Sequence, residues 1–503
     1  MRAATLLTAL FVLACLVGAE EPVRLTVLHT NDLHGQLRPL PPSPVRPVLR
    51  GKAAGGFAHL ATLVNLHRDA ARARGEAVLL LDAGDLFQGT PIGNETRGLA
   101  VVEVMNRLRY TAAALGNHEF DYGIEAMLAL ARKARFPFLA ANLSRPKGDL
   151  KPVLPYVVLE PPGVPCKIAL IGLITPQTPM MTAPIIGRTL RFADPTATLR
   201  SLLKEIDAEL IIVVSHLGLQ ADRELADTVP GIHLIVGGHS HTPAHEMRGG
   251  VCLVQTHSRG MTLGKVELEF EPATRKLRGA SSRLIEVDPT ETKADPQIAR
   301  TIEVYGLRLK EKLARVVGSL TEPLRRTRGL ASSTAGNWFT DVIRREGQAM
   351  VAFQNKGGIR CDLEPGEVTA EDIYRIMPFE NTVVAMDLKG SAIRALVERH
   401  LAGSGYPGLE WSGMRVEAVR EGERLIPIRI EVDGRLLEDD AVYRVATNSF
   451  LAFGGDGFVE FRAGENRSET GQFLRDVLGA DLARRSPFAP APTERLMLPA
   501  GAR

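Results

Sequence analysis

Six short aliphatic and β-branched runs, at residues 25–28, 78–81, 112–115, 168–173, 210–214 and 234–236, each lead into a polar loop and then into helical periodicity. Strands that alternate with helices pack as α/β layers, so this pattern limits the chain to a layered α/β fold. Apolar spacing predicts helices over 101–108 and 124–133, and residues 267–270 alternate apolar with polar as an antiparallel strand does. The first folded unit is expected to end near Val287.

The polar residues fall where such a sheet collects ligands, beyond the carboxyl ends of its strands. Asp32 and His34 follow the first run, Asp85 the second, and Asn117 and His118 the third. His216 follows the fifth run, and His239 and His241 follow the sixth. Asp32 and His34 are one residue apart, so on an extended segment their side chains point to the same side, and the same holds for His239 and His241. Gly84 allows a tight turn before Asp85. A single loop histidine is ordinarily a surface residue. Two carboxylates, one amide and four imidazoles at five strand ends can instead give two metal ions three or four oxygen and nitrogen donors each, provided one carboxylate bridges. Such mixed donors suit zinc, manganese, iron or cobalt. A pair of ions about 4 Å apart activates water and stabilises charge on a phosphoryl group under in-line attack.

With 503 residues the chain has room for two or three domains. Its charged fraction of 24% and net charge of +3 give no acidic or basic excess that would point to nucleic acid or a membrane surface. Met1-Arg2 and the apolar residues 3–17 read as a secretory signal, with residues 1–19 removed after Val17-Gly18-Ala19. Leu13-Ala14-Cys15 offers a second route, lipidation at Cys15. No later apolar run approaches the roughly 20 residues of a spanning helix. The expected product is exported, periplasmic or extracellular, without a transmembrane helix. Cys166, Cys252 and Cys361 are odd in number and scattered, so they are expected to pack as small apolar residues rather than form a disulfide framework. Residues 20–290 form the metal-bearing unit, and 291–317 a linker helix with apolar residues at Ile298, Ile302, Tyr305, Leu309 and Leu313. Residues 318–487 form a second unit, with a helix over 335–345, and the Pro- and Arg-containing tail 488–503 is expected to be disordered. In the second unit, Asn355-Lys356-Gly357-Gly358-Ile359-Arg360 combines glycines that allow close backbone approach with an arginine suited to phosphate.

Asn31-Asp32-Leu33-His34-Gly35, Asp82-Ala83-Gly84-Asp85, Gly116-Asn117-His118-Glu119-Phe120-Asp121 and Gly237-Gly238-His239-Ser240-His241 together resemble the periplasmic and ecto 5′-nucleotidases, with their calcineurin-like metallophosphoesterase domain. The resemblance spans nearly the whole mature chain. It implies that Asp32, His34 and His241 hold one divalent ion, that Asn117, His216 and His239 hold the other, and that Asp85 bridges. Many members carry Gln or Asn where His241 stands. It also implies a catalytic pair, His118 and Asp121. Neighbouring side chains on an extended segment diverge, so Asn117 can face the metal while His118 faces the substrate phosphate and Asp121 orients it.

The Asn355 segment, Met377-Pro378-Phe379-Glu380-Asn381-Thr382, and the stretch from Thr447 to Gly457 are similar to the family's α+β substrate-binding domain. That likeness implies that Phe379 and Phe450 sandwich a base, Asp456 binds sugar hydroxyls, and Asn355, Gly358 and Arg360 contact phosphate or ribose. The chain departs from the pattern before Gly336-Asn337, where members place an arginine near Glu-Ser or Glu-Cys. Arg325, Arg326 and Arg328 are the nearby substitutes. The implied activity is metal-dependent hydrolysis of a small-molecule nucleotide: a monophosphate, a UDP-sugar or a 2′,3′-cyclic nucleotide, with zinc, manganese or cobalt. Two other readings keep the fold: a hydrolase of sulfur-bound conjugates, and a non-catalytic surface-binding protein. Phe379, Phe450 and Asp456 favour nucleotides over the first, and intact His118 with seven candidate ligands argues against the second.

Overall fold

The computed structural model describes residues 23–42, 52–162, 164–182, 184–327, 329–379, 381–403, 408–490 and 493–498. The expected signal segment, Cys15 and Arg328 lie outside them. The first unit contains two six-stranded sheets. One runs in the order Lys276–Glu286, Thr262–Glu271, Val23–Thr30, Ala77–Asp82, Ala112–Ala114, Phe138–Leu139. The other runs Ala244–Arg248, Val251–Gln255, Leu234–Gly237, Leu210–His216, Ile168–Ile174, Tyr156–Leu159. Val27, Leu81 and Ala114 from the first sheet pack against Leu170, Ile212 and Val236 from the second in one buried layer. Helices cover the outer faces, Phe57–Ala73 and Leu99–Leu108 on one side and Leu219–Thr228 on the other. Central strands are thus buried on both faces, which is why they read as unbroken aliphatic runs.

Parallel register brings the strand ends level. Thr30 pairs with Asp82, Asp82 with Ala113, Ile174 with His216, and Ser215 with Gly237. The loops that follow therefore open at one edge of the sandwich.

The linker helix spans Pro296–Ala314, started by Pro296 and by Asp295, whose side chain accepts from the amides of Gln297 and Ile298. It does not stand between two units as a free rod. Ile298, Ile302 and Tyr305 belong to the first unit's core, and the Tyr305 hydroxyl donates to Glu103 at 2.7 Å. The second unit joins a five-stranded mixed sheet to a four-stranded one. The tail expected to be disordered is partly built into it. Leu496–Met497 pairs in parallel with Met414–Glu421, Leu496 is buried, and Arg495 makes two 2.8 Å bonds to Asp341. Composition misjudged this segment because its order comes from partners distant in sequence, the Met414–Glu421 strand and Asp341, the latter 154 positions from Arg495.

The two units meet around the cleft. Asn94 Nδ2 donates to the Pro378 carbonyl at 2.6 Å, and Glu95 accepts from Lys312 at 2.7 Å and from the Tyr374 hydroxyl.

Candidate functional site

The seven candidate metal ligands converge at the shared strand edge. Donor atoms of Asp32, His34 and His241 lie within 4.8 Å of one another, as do those of Asp85, His216 and His239, and those of His34, Asp85 and His118. Asp85 thus belongs to groups on both sides, and Asn117 Oδ1 sits 3.3 Å from His216 Nε2. His34 Nε2 and His241 Nε2 approach to 2.9 Å. Two facing imidazole nitrogens can share only one proton, whereas a cation accepts both lone pairs. With fully buried carboxylates alongside, the donor set fits two divalent cations.

The backbone route to this convergence differs from the extended one expected. Asp32, His34, Asp85, His239 and His241 all have left-handed φ, between 48° and 75°. Asn117 is helical, at φ −71° and ψ −33°, and leads into the short turn His118–Phe120. Each i, i+2 pair therefore shares a side because the chain turns, not because it runs straight. Left-handed non-glycine residues cost about 1–3 kcal/mol each and persist where surroundings over-determine them.

Those surroundings are hydrogen bonds. His34 Nδ1 donates to the Gln88 carbonyl at 3.0 Å and His216 Nδ1 to the Ala83 carbonyl at 2.6 Å, which leaves each Nε2 as the free donor atom for a metal. The Asp32 carboxylate accepts from the His239 amide at 2.9 Å and from Asn31 Nδ2 at 2.7 Å. Glu119, buried, accepts three backbone amides: Asp85 at 3.1 Å, Leu86 at 2.8 Å and Gly116 at 2.6 Å. A Cβ on Gly116 would lie 2.2 Å from Asp85 Oδ1, so only glycine fits there.

His118 Nδ1 is 2.8 Å from Asp121 Oδ2, and its Nε2 is 3.9 Å from Asp85. Burial would lower its pKa, but with no cation beside Asp85 the Asp121 and Asp85 carboxylates outweigh it and push the imidazole up to about 9. His118 also faces the second unit, with its ring 6.2 Å from that of Phe379.

One cavity of about 560 Å³ is walled by both units, with His34, Asp85 and His118 from the first and Asn355, Arg360 and Asp456 from the second. Phe379 and Phe450 line it too. Phe450 and Phe379 are each partly buried and also pack against a core cluster of the second unit. The Arg360 guanidinium lies 5.6 Å from the Phe379 ring centre. Asn355 Nδ2 donates to Asp456 at 2.8 Å, and Asn448 Nδ2 donates to Asn355 Oδ1 at 3.0 Å. A Cβ on Gly358 would lie 2.3 Å from the Gln354 side-chain amide and 2.8 Å from Asn355 Oδ1, so a larger residue there would displace those amides. Arg325 is paired with Glu364, Arg326 donates to the Ile359 carbonyl at 3.2 Å, and neither lines the cavity. Sequence reasoning gave no role to Glu119, Gln88 or Asn448, and passed over Tyr122 and Phe453, which also line the wall. Glu119 and Asn448 stood inside the quoted motifs, which was the available signal.

Residues 25–243 match the calcineurin-like phosphoesterase family, and residues 316–463 match the 5′-nucleotidase C-terminal domain. The chain is 30% identical to the 5′-nucleotidase of Homo sapiens, over 99% of this chain and 94% of that one. It is 29% identical to the snake venom 5′-nucleotidase of Naja atra, over 95% of this chain and 99% of that one. Among solved structures, the 5′-nucleotidase precursor of Thermus thermophilus superposes with a TM-score of 0.82 at 31% identity, covering 95% and 99% of the two chains. The sulfate thiohydrolase SoxB of Thermus thermophilus shares the fold, with a TM-score of 0.77 at 20% identity over 95% and 97%. A phosphoesterase unit carrying clustered His and Asp side chains, joined to a 5′-nucleotidase C-terminal unit along the full length of such relatives, makes this chain a member of the 5′-nucleotidase family and a hydrolase of phosphoester bonds.

Proposed function

We propose that this protein releases phosphate from nucleoside 5′-monophosphates, and that it does so after export, anchored through Cys15 or free. The observation that carries the reading is the shared cavity, in which clustered metal donors and the His118 imidazole share walls with an aromatic and polar surface suited to a nucleoside. Asp32, His34 and His241 would hold one divalent ion and Asn117, His216 and His239 the other, with Asp85 shared between the two groups. When bound, such a pair supplies Lewis acidity toward the phosphoryl oxygens and a nucleophile at neutral pH.

The chain's own residues do the rest. Arg360 orients the phosphate by charge-assisted hydrogen bonds. His118 Nε2 donates its proton toward phosphoryl or leaving oxygen, while Asp121 holds Nδ1–H and with it the tautomer. Asp456, steadied by Asn355, accepts the sugar hydroxyls. Phe379 and Phe450 stack on the base, a contact worth about 1–3 kcal/mol and tolerant of base identity. No helix among the described residues is long and apolar enough to cross a membrane.

The test is phosphate release from nucleoside monophosphates, nucleotide sugars, cyclic nucleotides and a simple aryl phosphate, after chelation and re-addition of manganese, zinc or cobalt. Silence on every nucleotide with every metal sinks the reading.

A further inference from the structure

Gln88 carries chemistry that the roles above leave unused. It is 2% exposed and lines the same cavity as His34, Asp85 and His118. Neither Nε2 nor Oε1 of its carboxamide has a hydrogen-bond partner. Its backbone is left-handed, at φ 75°, and is fixed there. The carbonyl accepts from His34 Nδ1 at 3.0 Å, and the next amide, Gly89, donates to Asn94 Oδ1 at 3.1 Å.

Burying an unpaired amide is unfavourable compared with an apolar side chain of the same size. The position thus holds glutamine against both its surroundings and its backbone. Unpaired buried polar groups and strained backbones coincide where a ligand completes the bonding. A carboxamide presents two N–H donors beside one acceptor. Beside the metal donors His34 and Asp85 and the imidazole of His118, a phosphoryl group offers both complements: unprotonated oxygens that accept, and in hydrogenphosphate a P–O–H that donates.

We propose that Gln88 binds the phosphoryl group, with Nε2–H donating to a phosphoryl oxygen and Oε1 accepting the P–O–H of the product. No bond to Gln88 forms or breaks. The inference rests on the phosphohydrolase reading above and adds to it a phosphate contact from the first unit that is neither charged nor a metal ligand.

The experiment compares the full metal-loaded protein with Gln88→Met, which keeps the volume and the left-handed backbone but removes the amide. Four quantities are read: bound metal, melting temperature with and without inorganic phosphate, inhibition by inorganic phosphate, and KM for a nucleoside monophosphate and for 4-nitrophenyl phosphate. Gln88→Met should retain its metal and melt at or above the parent, because an unpaired amide is gone. Its phosphate inhibition constant should rise about ten- to a hundredfold, the range for one hydrogen bond to a charged group. The phosphate-induced rise in melting temperature should shrink, and both KM values should rise by a similar factor. A phosphate constant within twofold of the parent overturns the inference, and so does a loss confined to the nucleotide. A parent that hydrolyses no phosphate ester sinks the functional reading instead.

Discussion

Glu119 touches no candidate substrate group, yet its removal should damage the site more than loss of many lining residues. Its Oε2 accepts the amides of Asp85 and Gly116, and its Oε1 that of Leu86. Glu119→Ala orphans all three buried amides, at about 1–3 kcal/mol each. The sum, roughly 3–9 kcal/mol, is comparable with the about 5–15 kcal/mol that holds a domain together. Little folded protein is expected. Glu119→Gln is the sharper test, since its amide oxygen can keep the Asp85 and Gly116 bonds while its NH₂ confronts Leu86 N–H. One orphaned amide costs about 1–3 kcal/mol, and in a unit of this size each kcal/mol lowers the melting temperature by roughly 2–4 °C. Calorimetric melts of metal-free and metal-saturated protein should show both the drop and a smaller metal-induced rise, because Asp85 is no longer held in place. If Glu119→Gln melts with the parent and gains as much from metal, the argument that Glu119 positions Asp85 is refuted.

Four further outcomes are expected. His118→Ala should keep both fold and metal but lose about two to four orders of magnitude in turnover, the share of a positioned acid; parent-like turnover on a nucleotide would remove its role. Chelation should abolish hydrolysis and elemental analysis should find two divalent ions per chain; activity in metal-free protein would contradict the donor cluster. Phe379→Ala and Phe450→Ala should each raise KM for nucleotides by about ten- to a hundredfold while sparing an aryl phosphate, since one stack is worth about 1–3 kcal/mol; equal loss on both substrates would mark a core role instead. Burial raises the Asp456 carboxyl to about 6, although Asn355 and Arg360 oppose it. The sugar-binding carboxylate is present above that pH and protonated below it, so KM for nucleotides should climb as pH falls through 6. Asp456→Asn should lose this limb, and a limb that survives would place the titration elsewhere.

The candidate ligands were legible because parallel strands in register deliver their following loops to one edge, so a residue's place after an aliphatic run already fixed its neighbourhood. The backbone that presents them was not. Asp32 and His34 were read as extended, and their positive φ values are stabilised by contacts such as His34 Nδ1 to the Gln88 carbonyl, between loops 54 positions apart. The motif Gly116-Asn117-His118-Glu119 flagged Glu119 but not its role, since its three amides come from two loops that meet only in the fold. The tail failed differently. Its composition is that of a solvated segment, and its order depends on Asp341 and on the edge of the Met414–Glu421 strand, which no local pattern reveals.

The left-handed backbone at five candidate ligands sets protein engineering against chemistry. At each of Asp32, His34, Asp85, His239 and His241 the residue that best suits the chain is glycine, and the residue that suits a cation is the one present. Glycine at these positions would relax the backbone, yet at Asp32, His34 and Asp85 it would also strip partners from buried amides and carbonyls, at about 1–3 kcal/mol each. The metal donor is lost in every case. A laboratory lineage of this enzyme selected for backbone relief must be screened for turnover at every step, because relief and metal binding pull on the same residues.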